Sequence, residues 1–79
     1  MTKKRFFKAE ELWQKGCYSL RWGKYTIFLG AEKQRYRDVY TYSPKAEKFF
    51  LTAGIDTNEG VERGLELLLG VEETGSVGG

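Results

Sequence analysis

The chain has 79 residues, of which 41% are hydrophobic, 30% charged and 15% aromatic, which is enough for one small domain with a marginal core. No apolar run exceeds three residues, whereas a membrane-spanning helix needs about 20, so no membrane association is expected. One cysteine and no histidine exclude an internal disulfide and leave too few ligands for a zinc or iron site. We therefore expect no metal or other cofactor, and a reducing, cytoplasmic environment.

The net charge of +2 conceals an asymmetry along the chain. Residues 1–50 contain 12 Lys and Arg against 5 Asp and Glu, whereas residues 51–79 contain one Arg against 6 Asp and Glu. A basic part and an acidic part in one small domain can steer a polyanion to one side. The basic N-terminus is not followed by an apolar run of about 7–15 residues, so no secretory signal is expected.

The first predicted element is a short amphipathic helix over residues 6–14. Phe6, Ala9 and Trp13 recur near the helical period, and Gly16 is expected to end the helix. Trp13 is then expected to pack on the sheet that follows.

A β-hairpin is predicted next, because the apolar period changes to two. Residues 17–22 and 25–29 alternate between two faces, and Gly23-Lys24 has the composition of a two-residue hairpin turn. One face of this hairpin is predicted to point inward, and it carries Tyr18, Leu20, Trp22, Tyr25, Ile27 and Leu29.

Two further strands are predicted over residues 35–42 and 48–52, with Gly54 ending the last one. Ser43-Pro44-Lys45 favours a turn between them. Neither face of residues 35–42 is cleanly apolar, so the pattern leaves open which face is buried.

A second helix is predicted after the strands. Asp56 and Glu59 have the spacing of a capping box, and Gly70 is a natural C-terminal stop. An apolar stripe lies between them, formed by Val61, Leu65, Leu68 and Leu69. The predicted organisation is a single domain over residues 1–70 and a flexible, glycine-rich tail over residues 71–79.

The predicted fold class is therefore α+β. It consists of a four-stranded antiparallel sheet, a short N-terminal helix, and a C-terminal helix packed on one face. The other face of the sheet is expected to be open.

The composition indicates a protein that is not an enzyme. Cys17, Ser19 and Ser43 have no histidine that would activate them, and the carboxylates are scattered rather than paired. The spacing of the later glycines matches neither the Walker nor the dinucleotide-binding pattern: these are Gly54, Gly60 and Gly64.

The remaining candidate is a basic, aromatic sheet surface. Nine of the 12 aromatic residues lie in residues 18–50, interleaved with Lys and Arg. Aromatic rings that stack on bases and cations that follow phosphates are typical of nucleic-acid binding. The predicted nucleic-acid-binding residues are Arg21, Lys24, Phe28, Lys33, Arg35, Tyr36, Arg37, Lys48 and Phe50.

Two alternatives remain open at this point. The same aromatics and cations suit an ordinary sheet with a solvated rim, or a small protein-binding adaptor or inhibitor of phage or mobile-element type, because Tyr, Trp and Arg are enriched at protein hot spots. The expected partner is thus single-stranded or duplex DNA, RNA, or a protein. A homodimer is a further alternative, because a dimer interface would bury one more sheet face or edge and so stabilise a domain with a small core.

Overall fold

The structure, a computed structural model, describes residues 5–71. This part of the chain folds into five strands and two helices. They are β1 (Phe6–Phe7), α1 (Ala9–Gln14), β2 (Tyr18–Trp22), β3 (Tyr25–Leu29), β4 (Tyr36–Ser43), β5 (Lys48–Asp56) and α2 (Val61–Leu69).

All neighbouring strands are antiparallel, and their order in the sheet is β1-β5-β4-β3-β2. The α+β class and the antiparallel sheet are confirmed, but the predicted number of four strands is wrong. The fifth strand is β1, which takes the first residues of the predicted helix over 6–14. Phe6 lies opposite Phe50 in the register, and the two rings meet edge to face with centroids 5.9 Å apart. A two-residue strand has no periodicity, so only its tertiary partner reveals it.

The predicted hairpin is confirmed in both register and turn. Leu20 lies opposite Ile27, and Trp22 lies opposite Tyr25. Gly23 has a φ of +61°, which glycine adopts without a Cβ penalty and which a two-residue turn of this kind requires.

Strand β5 extends beyond its predicted end at residue 52. Gly54 lies within β5 and does not end the strand. A glycine is needed there because the ring of Tyr36 lies directly against it, and a Cβ would overlap that ring. The register of β4 with β5 shifts between Val39, opposite Ala53, and Tyr40, opposite Leu51. This irregularity leaves one extra residue on β5, as in a β-bulge.

The sheet carries a helix on each face, so the expectation of one open face is wrong. On one face α2 covers a core formed by Trp22, Ile27, Leu29, Val39, Ile55 and Leu65. On the other face α1 covers a core formed by Phe7, Leu12, Cys17, Phe28, Tyr40 and Phe49. Strand β4 contributes Val39 to the first core and Tyr40 to the second, which is why its sequence shows no single apolar face.

The apolar stripe of α2 is confirmed, but its predicted cap is wrong. The helix begins at Val61, and Asp56 is instead the last residue of β5, where its Oδ1 accepts a hydrogen bond from the Asn58 backbone N–H (2.8 Å). Residues 72–79, which include most of the predicted tail, lie outside the described residues. Neither helix between residues 5 and 71 is long and apolar enough to cross a membrane.

Candidate functional site

The predicted nucleic-acid-binding residues lie at two opposite ends of the sheet. Because the strands are antiparallel, the β2–β3 turn (residues 23–24) and the β4–β5 turn (residues 44–47) meet at one end, which we call the hairpin end. Residues 30–35 and the start of α2 lie at the other end, which we call the distal end. The eight residues of β4 separate the two ends by about 26 Å at 3.3 Å per residue.

Four of the nine predicted residues lie at the distal end, namely Lys33, Arg35, Tyr36 and Arg37. Three lie at the hairpin end, namely Arg21, Lys24 and Lys48. Phe28 and Phe50 lie between the two ends on opposite faces of the sheet. The structure therefore does not bring the nine residues together into one site.

Arg37 is held in a structural role at the distal end. Its Nη1 donates a 2.7 Å hydrogen bond to the carbonyl oxygen of Gly30, and its Nη2 lies 3.8 Å from a Glu32 carboxylate oxygen. Its guanidinium also lies over the ring of Tyr18, 5.6 Å from the centroid. Since its side chain is only 20% exposed, Arg37 is already occupied by contacts within the fold.

Phe28 is also unavailable to a ligand. Its side chain is 2% exposed and packs between the rings of Trp13 and Phe49. The sequence placed Phe28 correctly on the face opposite Trp22, but that face is covered by α1. The expectation that its ring offers stacking surface is therefore wrong.

The distal end has mixed charge. Lys33 and Arg35 are exposed there, but Glu32 is close by in the same turn, and Asp56 lies opposite Tyr36 in the register of β4 with β5. The carbonyl oxygen of Arg35 accepts a hydrogen bond from the Thr57 backbone N–H (3.0 Å), which places Arg35 beside the segment that leads into the acidic start of α2.

The hairpin end has an excess of cations. Five exposed basic residues lie there, each in a different element or turn, and no ion pair in the described part of the chain engages any of them. They are Lys8, Arg21, Lys24, Lys45 and Lys48. The nearby acidic residues are Glu10 and Glu47. Lys8 and Lys45 were not predicted as site residues, although the position of Lys45 in a predicted turn was a usable signal.

A groove of about 500 Å³ opens at the hairpin end between α1 and the β4–β5 turn. Trp13 and Tyr42 line it and are 52% and 43% exposed, although both are large aromatic residues. Lys8 and Lys48 line it as well, together with two carboxylates, Glu10 and Glu47.

The two exposed rings of this groove belong to a connected row of four aromatic rings. Trp13 contacts Phe28 edge to face at 5.2 Å, Phe28 contacts Phe49 at 4.8 Å, and Phe49 contacts Tyr42 at 5.2 Å. The inner two rings are buried, and the outer two face the solvent. Edge-to-face pairs of this kind stabilise by about 0.5–1.5 kcal/mol beyond burial, so the exposed rings have a supported orientation.

The environment of Cys17 is not that of an activated nucleophile. Burial raises the pKa of the Cys17 thiol, with a smaller lowering effect from Lys15 and a raising effect from Asp38. Cys17 is therefore a protonated core residue, and a thiol is a poor nucleophile compared with a thiolate. Residues 5–71 contain no cluster of three or more side chains that could hold a metal ion.

No protein-family model matches the sequence, and no curated protein or solved structure shows significant similarity to it. The features that bear on function are thus the exposed cations of the hairpin end, which no ion pair within residues 5–71 engages, and the exposed rings of the groove.

Proposed function

We propose that this protein binds nucleic acid through its hairpin end. The observation that carries the proposal is the clustering of exposed cations there from the N-terminal end of α1, β2, both turns and the start of β5, with no ion pair between residues 5 and 71 engaging them. Clustered Lys and Arg on one side of a small domain are the electrostatic footprint of a phosphate-binding surface.

The charge of the rest of the domain supports this assignment. Helix α2 and the residues before it carry Glu59, Glu62 and Glu66, and Arg63 is paired with two of these carboxylates. The acidic side repels a polyanion and the basic side attracts it, so a nucleic acid approaching the domain is oriented toward the hairpin end.

The mobility of lysine side chains also suits this role. Lys24 and Lys45 lie in turns that project beyond the ends of the strands, and Lys48 begins β5. A lysine ammonium acts as a point charge on a flexible stem, which contacts phosphates without demanding one base sequence. Binding through this surface alone is expected to depend weakly on sequence.

The test is an anisotropy titration of labelled single-stranded DNA, duplex DNA and RNA at about 50 and 200 mM salt, because affinity for a polyanion falls steeply between these concentrations. The double variant Lys24→Ala/Lys48→Ala should weaken binding about tenfold, since each exposed charge pair contributes up to about 1 kcal/mol. The matched control is Lys33→Ala/Arg35→Ala, which removes the same charge at the distal end and should change affinity less than about twofold.

Two results would contradict the proposal in different ways. If micromolar protein binds none of the three nucleic acids at about 50 mM salt, the function is wrong and the protein-binding adaptor becomes the hypothesis to test by co-purification. If both double variants weaken binding equally, nucleic-acid binding stands but its assignment to the hairpin end is wrong.

A further inference from the structure

We infer that the groove between Trp13 and Tyr42 holds an unstacked base of a single-stranded nucleic acid. This inference rests on the proposed function and adds to it the class of ligand and the side chains that contact the base. The cations of the hairpin end are adjacent to the groove, since Lys8 and Lys48 belong to both.

The rings of the groove are arranged as a stacking platform. Trp13 and Tyr42 expose about half of their surface, while Phe28 and Phe49 hold them from below through edge-to-face contacts. Rings held in this way lose little rotamer freedom when a base stacks on them. Stacking of a base on an aromatic side chain contributes about 1–3 kcal/mol.

The charged lining separates the base from the phosphates. Two carboxylates, of Glu10 and Glu47, line the groove together with two lysines, Lys8 and Lys48, so the groove itself has no excess of positive charge that would draw a phosphate into it. Two further exposed cations of the hairpin end, Lys24 and Lys45, lie in the turns outside the groove lining. A strand bound here therefore runs its backbone along the hairpin end and turns a base inward.

Only a single strand presents its bases in this way. In a duplex each base is stacked on its neighbours and paired, so its face can stack on Trp13 or Tyr42 only after the base has left the helix, at a cost of a few kcal/mol. The groove volume of about 500 Å³ is within the range of sites that hold small aromatic ligands, so it is large enough for one base.

The experiment compares a labelled 20-nucleotide single strand with the duplex of the same sequence. Tyr42→Ala should weaken binding of the single strand about 5–150-fold, which corresponds to about 1–3 kcal/mol for one stacked base. Tyr25→Ala is the matched control, because Tyr25 is 41% exposed at the same end but on the opposite face, and it should leave the affinity unchanged. The duplex should bind more weakly and be insensitive to Tyr42→Ala.

Trp13 supplies a second, independent readout. The other tryptophan, Trp22, is 5% exposed, so a base stacked on Trp13 should quench the exposed part of the emission, and Trp13→Phe should abolish the quenching while retaining most of the affinity. Circular dichroism of each variant establishes that it is folded.

The inference is overturned if the duplex binds as tightly as the single strand, or if Tyr42→Ala and Tyr25→Ala have the same effect. In both cases binding that weakens with salt still supports the proposed function. If neither single strand nor duplex binds, the proposed function and the inference both fail.

Discussion

Replacing Arg37 by alanine is expected to destabilise the fold by about 2 kcal/mol without removing a ligand contact. The hydrogen bond from Nη1 to the buried Gly30 carbonyl (2.7 Å) is of the charged kind, which contributes about 1.5–3 kcal/mol. The contact with the Tyr18 ring adds about 0.5–1 kcal/mol. The 3.8 Å ion pair with the exposed Glu32 contributes close to nothing to the free energy of unfolding.

One consequence of the Arg37→Ala substitution would instead stabilise the fold. The Nε of Arg37 is buried without a partner, and removing an unsatisfied polar atom relieves about 1 kcal/mol or more. The net loss is therefore about 2 kcal/mol, which is a large part of the stability of a domain of this size. Arg35 is exposed and makes no side-chain contact of this kind, so Arg35→Ala is expected to stay within about 0.5 kcal/mol of the wild type.

Urea titration followed by circular dichroism measures this difference directly. With a slope of about 1 kcal/mol per M for a small domain, Arg37→Ala should lower the midpoint by about 2 M. Arg37→Lys should recover only part of the loss, because lysine lacks the planar guanidinium that reaches both partners. A midpoint for Arg37→Ala within about 0.5 M of the wild type would refute the structural role and return Arg37 to the candidate ligand contacts.

Three other substitutions test the packing. Gly64→Ala should destabilise the fold by about 1 kcal/mol in a urea titration, because the added Cβ would lie 3.0 Å from the Ile55 Cβ. This overpacking is expected to outweigh the gain in helix propensity, and a variant more stable than the wild type would contradict the expectation. Trp22→Phe should cost about 1–2 kcal/mol, since it removes the 2.9 Å hydrogen bond from Nε1 to the Gly70 carbonyl, and an unchanged midpoint would show that this bond does not hold the end of α2. Burial raises the pKa of the Cys17 thiol above its ordinary value of 9.0, so its contribution to stability is complete below about pH 9 and is lost as the pH rises through the folded-state pKa. Cys17→Ala should therefore lose less stability than the wild type between about pH 8 and pH 11, and equal losses would contradict the assignment.

Elements whose signal lies in neighbouring residues were predictable. The β2–β3 hairpin follows from alternation on either side of a glycine turn, and its pairing and turn are as predicted. The predicted inward face carries buried Trp22, Ile27 and Leu29, but Tyr18 and Tyr25 on it are exposed, and Phe28 on the other face is buried as well. The stripe of α2 follows from a 3.6-residue period, and Leu65 at its centre is fully buried. In both cases the periodicity shows which side chains share one face of the element.

The elements that were missed depend on partners distant in the chain. Phe6 and Phe7 continue the predicted helical pattern, but they pair with Phe50 and Phe49 as an edge strand. A glycine such as Gly54 often marks the end of a strand, but here it lies inside β5 and leaves room for the ring of Tyr36. No local pattern reports such a contact.

The same distinction applies to the candidate site. The sequence by itself determined the α+β class with an antiparallel sheet, the basic charge of the first part of the chain, and the high density of aromatic residues around the strands. Only the tertiary structure decided that α1 covers the second face and buries Phe28, that Arg37 is occupied within the fold, and that Trp13 and Tyr42 line one groove. The physical reason is that periodicity shows which side chains share a face of one element, whereas the availability of that face depends on what packs against it.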